Sequence, residues 1–139
     1  MKIGVFDSGI GGKAVAHSLA RDFSDAEIIY IHDREHMPYG GRDMKDIIRL
    51  TETALQPILN NTCECIVIAC NTATAAAIEY LRASYPNEKF VGLEPMLKPA
   101  AALTQTSTIA ICATLYTLSS ERYINLKHEY ANLYSLSLD

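Results

Sequence analysis

Five short apolar runs, each followed by a stretch of helical composition, constrain this chain more than any other feature. The runs are residues 3–6, 27–31, 65–69, 90–93 and 107–112. Residues 11–23, 43–59, 72–83, 95–103 and 119–130 read as helices. Over 43–59, Met44, Ile47, Ile48, Thr51, Ala54, Leu55 and Ile58 recur close to the 3.6-residue period. Strands that are apolar without alternation belong to a parallel sheet covered on both faces and linked by helical crossovers. The expected fold is therefore α/β, a parallel β-sheet flanked by helices. Gly92, followed closely by Pro95 and Pro99, marks 92–99 as the boundary within the chain.

Composition narrows the class. A chain of 139 residues with 49% apolar and 20% charged residues is a globular domain rather than a disordered one. Twelve basic against sixteen acidic residues, a net charge of −4, give no support to nucleic-acid binding. No apolar run approaches the ~18 residues of a membrane span, and the apolar stretch before Asp7 is too short for a signal peptide. The expectation is a cytoplasmic protein with no membrane contact. Cys63, Cys65, Cys70 and Cys112 are then thiols rather than a disulfide framework.

In parallel sheets ligands bind beyond the carboxyl ends of the strands, near a reversal of strand order. Those ends read Asp7-Ser8-Gly9, 33–41, Cys70-Asn71-Thr72, Glu94-Pro95 and Ala113-Thr114. Gly9-Ile10-Gly11-Gly12-Lys13-Ala14 matches G-x-G-x-x-A, with Asp33 at the end of the second strand, as in a dinucleotide fingerprint. Asp7 at the strand end opposes a pyrophosphate, and glycines permitting a tight strand-to-helix turn explain the pattern equally well. What remains is an anion-friendly helix N-terminus flanked by Asp7 and Ser8.

Cys70 ends an apolar strand, and Asn71 and Thr72 after it are good helix N-caps. A thiol beside a helix N-terminus has its thiolate favoured by the macrodipole and free N–H groups, which makes Cys70 a candidate base or nucleophile. The alternative is a buried structural cysteine. Cys63 and Cys65, expected on one face, and Cys112, expected inside a strand, read as structural. Pro38-Tyr39-Gly40-Gly41 either places N–H groups and a phenol over a ligand carboxylate or forms a surface turn. Lys13 and Arg42 add positive potential or are ordinary surface cations. His17, His32, His36 and His128 are scattered, so no metal site is expected. One acid, one thiol and the neutral donors Ser8, Asn71, Thr72, Thr114 and Thr117 suit a small zwitterion such as an amino acid.

These motifs resemble the cofactor-independent glutamate racemases of the aspartate/glutamate racemase superfamily. The resemblance rests on the 3–12 opening strand and turn, and on Asp33 followed by Pro38-Tyr39-Gly40. It continues through Ala69-Cys70-Asn71-Thr72-Ala73-Thr74-Ala75, Gly92-Leu93-Glu94-Pro95 with Lys98-Pro99-Ala100, and Ala113-Thr114 with Thr117, Ser120 and Tyr123. It implies a racemase-like half of a two-domain architecture: residues 1–96 as the first α/β domain, lacking its C-terminal completion, and 97–139 as the start of the second. It further implies proton removal from glutamate by one cysteine and return from a second on the opposite face, without a cofactor, to supply D-glutamate for peptidoglycan synthesis. Cys70 would be the first base, with Asp7 tuning its proton transfer. Ser8, Pro38, Tyr39, Gly40, Asn71, Thr72, Thr114 and Thr117 would hold the substrate.

The second cysteine, followed by Thr-His in the family, would lie beyond Asp139. Gly41-Arg42-Asp43 and Leu115-Tyr116 also depart from the family's pattern. The expectation for these residues alone is therefore a half-site with little racemisation. The rival readings are a non-catalytic module that binds an amino acid or self-associates, the latter as a homo-oligomer through an exposed domain interface, an aspartate racemase, and a nucleotide-binding fold.

Overall fold

The structure, a computed structural model, describes residues 1–134, 137 and 138. Four strands, β1 (Lys2–Asp7), β2 (Glu27–His32), β3 (Cys65–Ile68) and β4 (Phe90–Gly92), form one sheet in the order β2-β1-β3-β4, every pair parallel. Helices α1 (Gly12–Asp22), α2 (Met44–Leu59) and α3 (Asn71–Ser84) make the crossovers.

Strand residues alternate between two apolar layers. Ile3, Val5, Ile28, Tyr30 and Val67 pack on the face of α1, with Ala16. Phe6, Ile29, Ile31, Ile66 and Ile68 pack on the opposite face with Ile47, Leu50, Leu55 and Ile58 of α2 and Ala73, Ala77, Ile78 and Leu81 of α3. Both faces are covered, which is why the strand sequences are apolar without a period of two. Close packing dictates Gly4: a Cβ there would stand 2.3 Å from Ile58 Cγ2.

Beyond β4 the chain forms α4 (Leu97–Leu103), β5 (Thr108–Ile109), α5 (Leu115–Ser119), α6 (Glu121–Tyr134) and β6 (Ser137–Leu138), with β5 and β6 parallel. Leu97, Ala101, Ile109 and Tyr123 form a third, separate apolar cluster.

Three expectations are corrected here. Among the described residues the run 107–112 is a strand only over Thr108–Ile109, the two that pair with β6, since a strand lasts no longer than its ladder; Cys112 lies past the strand and is exposed. The helix expected over 119–130 is α6, which starts two residues later, at Glu121, since Ser120 leaves the helical region (ψ 141°) and ends the separate short helix α5. Cys63 and Cys65 do not share a face. Cys63 precedes β3, where strand alternation does not hold, and joins the α2–α3 layer, whereas Cys65 packs against the α1 layer.

Candidate active site

From β1 the chain crosses to β2 on one side, and from β3 to β4 on the other, so strand order reverses between β1 and β3. The parallel register pairs Phe6 with Ile68, and Ala69 N–H donates to Phe6 O at 2.7 Å. The residues just past each strand are therefore brought side by side. Ser8 Oγ lies 3.0 Å from Cys70 Sγ across 62 residues of sequence.

Cys70 is itself the N-cap of α3, one residue before Asn71 and two before Thr72, the residues expected to cap it. Its backbone is extended (φ −102°, ψ 114°), and Sγ accepts the Ala73 N–H at 3.3 Å. The thiol is buried and borders an open cleft of about 330 Å³. A sulfur that faces a hydroxyl, accepts an amide N–H and borders a cavity is placed to exchange a proton with a bound molecule.

Asp7 is buried, and Oδ2 accepts the Gly12 N–H at 2.8 Å. The carboxylate thus occupies the first amide of α1, the group an incoming anion would need. This counts against the anion-friendly helix N-terminus expected there and against the dinucleotide reading. The glycines act by close approach rather than by left-handed backbone: no described glycine has positive φ, and a Cβ at Gly12 would meet Asp7 Cβ at 2.5 Å. Burial, and after it the charge of Asp7, push the Tyr30 phenol up; its hydroxyl donates to Gly9 O at 3.5 Å.

Three threonine hydroxyls close the other side. Thr72 Oγ1 lies 3.0 Å from Thr114 Oγ1 and 3.4 Å from Thr117 Oγ1, and Thr114 and Thr117 are 3.0 Å apart. Thr114 caps α5, accepting the Thr117 N–H at 3.2 Å. Asp7, Ser8, Cys70, Asn71, Thr72, Thr114 and Thr117, all singled out from sequence, line the one cleft. Gly9, Ile10, Gly11, Ala69 and Ala113 line it too; the glycines are those of the expected strand-to-helix turn, and the others had no signal beyond their place next to strand ends.

Pro38, Tyr39 and Gly40 are not part of this lining: Pro38 is exposed, while Tyr39 and Gly40 stand behind it. Tyr39 is buried, and its hydroxyl donates to Asp33 Oδ2 at 2.8 Å. Burial, then the hydrogen bond to Asp33 and its charge, push the phenol far above its ordinary range, so it remains a donor. Burial works against the Asp33 carboxylate, but hydrogen bonds from His36 and Tyr39 outweigh it and lower its pKa. Arg42 donates to His36 O at 2.8 Å and to Asp46 at 2.7 Å, so this cation ties the loop together. Gly40 abuts Thr114: a Cβ there would meet Thr114 Cγ2 at 2.6 Å. The loop thus supports the cleft's wall, through the Asp33–His36 pair that sequence reading passed over. Among the described residues no group of three or more His, Cys, Asp or Glu side chains is placed to hold a metal, and no helix is long and apolar enough to cross a membrane.

No protein-family model matches the chain. Curated relatives do: the glutamate racemase of Clostridium novyi is 39% identical over 130 residues, 94% of this chain and 50% of the relative. That of Aliarcobacter butzleri is 40% identical over 139 residues, 99% of this chain and 53% of the relative. Among solved structures, Escherichia coli glutamate racemase, in complex with L-glutamate and the activator UDP-MurNAc-Ala, superposes with a TM-score of 0.87 at 28% identity. It is matched over 99% of this chain and 52% of its own. Glutamate racemase from Aquifex pyrophilus gives 0.85 at 31% identity, over 100% of this chain and 54% of its own. The chain is related to the glutamate racemases and shares their fold, and it spans about half the length of the curated relatives it matches.

Proposed function

We propose that this chain carries one half-site of a glutamate racemase, with Cys70 as the base that removes the α-proton from one face of glutamate. The observation that carries the reading is the position of Cys70 Sγ, 3.0 Å from Ser8 Oγ and bordering the cleft at the reversal of strand order. Asp7 holds the start of α1 beside the thiol and tunes the transfer. Ser8, Asn71, Thr72, Thr114 and Thr117 offer neutral donors to the substrate's carboxylates, and the loop of Pro38, Tyr39 and Gly40 supports them. No cofactor is invoked, so the carbanion formed by proton loss is stabilised by hydrogen bonds already in place.

Residues 1–96 form the first domain and 97–139 begin the second, a division supported by the separate apolar cluster around Leu97 and Tyr123. Inversion needs an acid on the opposite face of the α-carbon. Cys63 is buried in the α2–α3 layer, and neither Cys65 nor Cys112 lines the cleft. The 139 residues alone therefore exchange the α-proton without inverting it. In the whole reaction a second cysteine returns the proton, in the cytoplasm, and the D-glutamate supplies peptidoglycan synthesis.

Incubating the protein with L- and D-glutamate in deuterated buffer tests this reading. The expected result is α-deuteration of one enantiomer with retention, lost by at least about 100-fold in Cys70→Ser. Deuteration undiminished in that variant refutes it, and inversion by the unaltered chain refutes the half-site. Ile10 and Leu115, 79% and 83% exposed beside the cleft, favour a second reading in which the cleft's rim is covered by another copy of the chain. Light scattering that returns a monomer rejects it.

A further inference from the structure

Arg122, near the start of α6, lies outside the cleft, yet it joins the two units that form it. Its Nε donates to Glu94 Oε1, just past β4, and its Nη1 donates to Glu79 Oε1 on α3 at 2.9 Å. Glu79 also accepts from Arg82 Nη1 at 3.2 Å. Arg122 and Glu94 are 32% and 29% exposed, sheltered enough for a planar guanidinium to be held in one orientation, whereas Glu79 is 73% exposed and adds a weaker, solvent-screened contact.

The link from Arg122 to the cleft is short. Its neighbour Tyr123 donates N–H to Ser120 Oγ at 3.2 Å, and Ser120 Oγ donates to Thr117 O at 2.7 Å. Thr117 then meets Thr72 and Thr114. The α5 segment is only five residues long and its N-cap Thr114 is exposed, so its own hydrogen bonds do little to fix its place. Glu94 and Glu79 come from two different elements of the sheet unit, so an arginine held between them fixes both position and rotation of the α5–α6 corner.

We infer that Arg122 is a positioning residue: clamped between Glu94 and Glu79, it holds α5 where Thr114 and Thr117 meet Thr72 in the wall of the cleft. This rests on the reading of the cleft as a glutamate site. It acts on affinity through α5 and touches no substrate.

The test uses the full chain with Arg122→Gln, Arg122→Lys and Glu94→Gln, reading hydrogen exchange of the Thr117 and Leu118 amides and the Kd for glutamate. In Arg122→Gln, exchange at both amides rises roughly 5- to 10-fold and Kd rises by the same factor, the scale of a partly exposed charge-assisted pair, while amides of β1 and β3 are unchanged. Lysine, which meets one acid at a time, recovers part of both effects. Glu94→Gln shows them more weakly because Glu79 remains. Unchanged amide exchange overturns the clamp, and faster exchange with unchanged Kd overturns the positioning role. If the unaltered chain binds no glutamate, the reading of the cleft fails, and the amide exchange still accepts or rejects the clamp by itself.

Discussion

Substituting Gly40 by alanine tests whether the loop behind the cleft is seated as the structure describes. The new Cβ would lie 2.6 Å from Thr114 Cγ2 and 2.7 Å from Thr114 Cβ, where ordinary contact begins at 3.4 Å. The second atom is bonded to the backbone, so no rotamer change of Thr114 relieves the overlap. Loop and Thr114 must separate, which stretches the 3.0 Å contacts of Thr114 with Thr72 and Thr117. Overpacking of this kind costs about 1–3 kcal/mol, and each hydrogen bond lost about 0.5–1.5 kcal/mol net. Gly40→Ala should therefore lose about 2 kcal/mol, seen in urea unfolding followed by circular dichroism as a midpoint lower by roughly 1 M. In a Thr114→Gly background the obstructing atoms are gone, and the same substitution should cost less than about 0.5 kcal/mol. A Gly40→Ala cost that is equal in the two backgrounds would refute the close approach, whatever its size.

Other consequences can be measured in the same way. Asp33 has its pKa lowered below the ordinary 3.8, so its hydrogen bonds stabilise the fold above that value and are lost as pH falls through the lowered one. Asp33→Asn should flatten the stability profile in that acid range and lower stability at pH 7; unfolding curves from pH 7 to 2 that run parallel for the two proteins would argue against the network. Thr51 is fully buried on α2, and its Oγ1 lacks a hydrogen-bond partner. Thr51→Val, similar in shape and without the hydroxyl, should raise stability by about 1 kcal/mol, and a loss of stability on thermal unfolding would contradict this. Because Asp7 already holds the Gly12 N–H, titration with NAD or ATP should release no heat of binding; a saturable signal that Asp7→Ala leaves unchanged would reject that account.

The local features of the fold were legible in the linear order of residues. Unbroken apolar runs signalled a buried parallel sheet because strands covered on both faces have no reason to alternate, and the periodicity of Met44 to Ile58 marked α2 because one helical face alone is buried. Cys70 stood out because an apolar strand ending on a thiol before Asn-Thr is a local pattern. The signals failed where identity is decided by a distant neighbour. Residues 107–112 have the composition of a strand, but among the described residues only two of them find a partner, and Cys63 left the layer expected for it because alternation ends with the ladder.

What only the tertiary structure decided is which strand ends meet. Ser8 and Cys70 are partners because β1 and β3 are adjacent in register, a choice made by the whole sheet and by the helices on its two faces. Thr72 finds Thr114 and Thr117, and Arg122 finds Glu94 and Glu79, for the same reason: polar groups more than about 25 residues apart pair only where packing has already brought their elements together. Residue order determined the candidate chemistry of this protein, since a thiol, an acid and hydroxyls are properties of side chains. Their assembly into one cleft belongs to the fold, because a hydrogen bond needs its two atoms within about 3 Å of each other and sequence spacing does not set that distance.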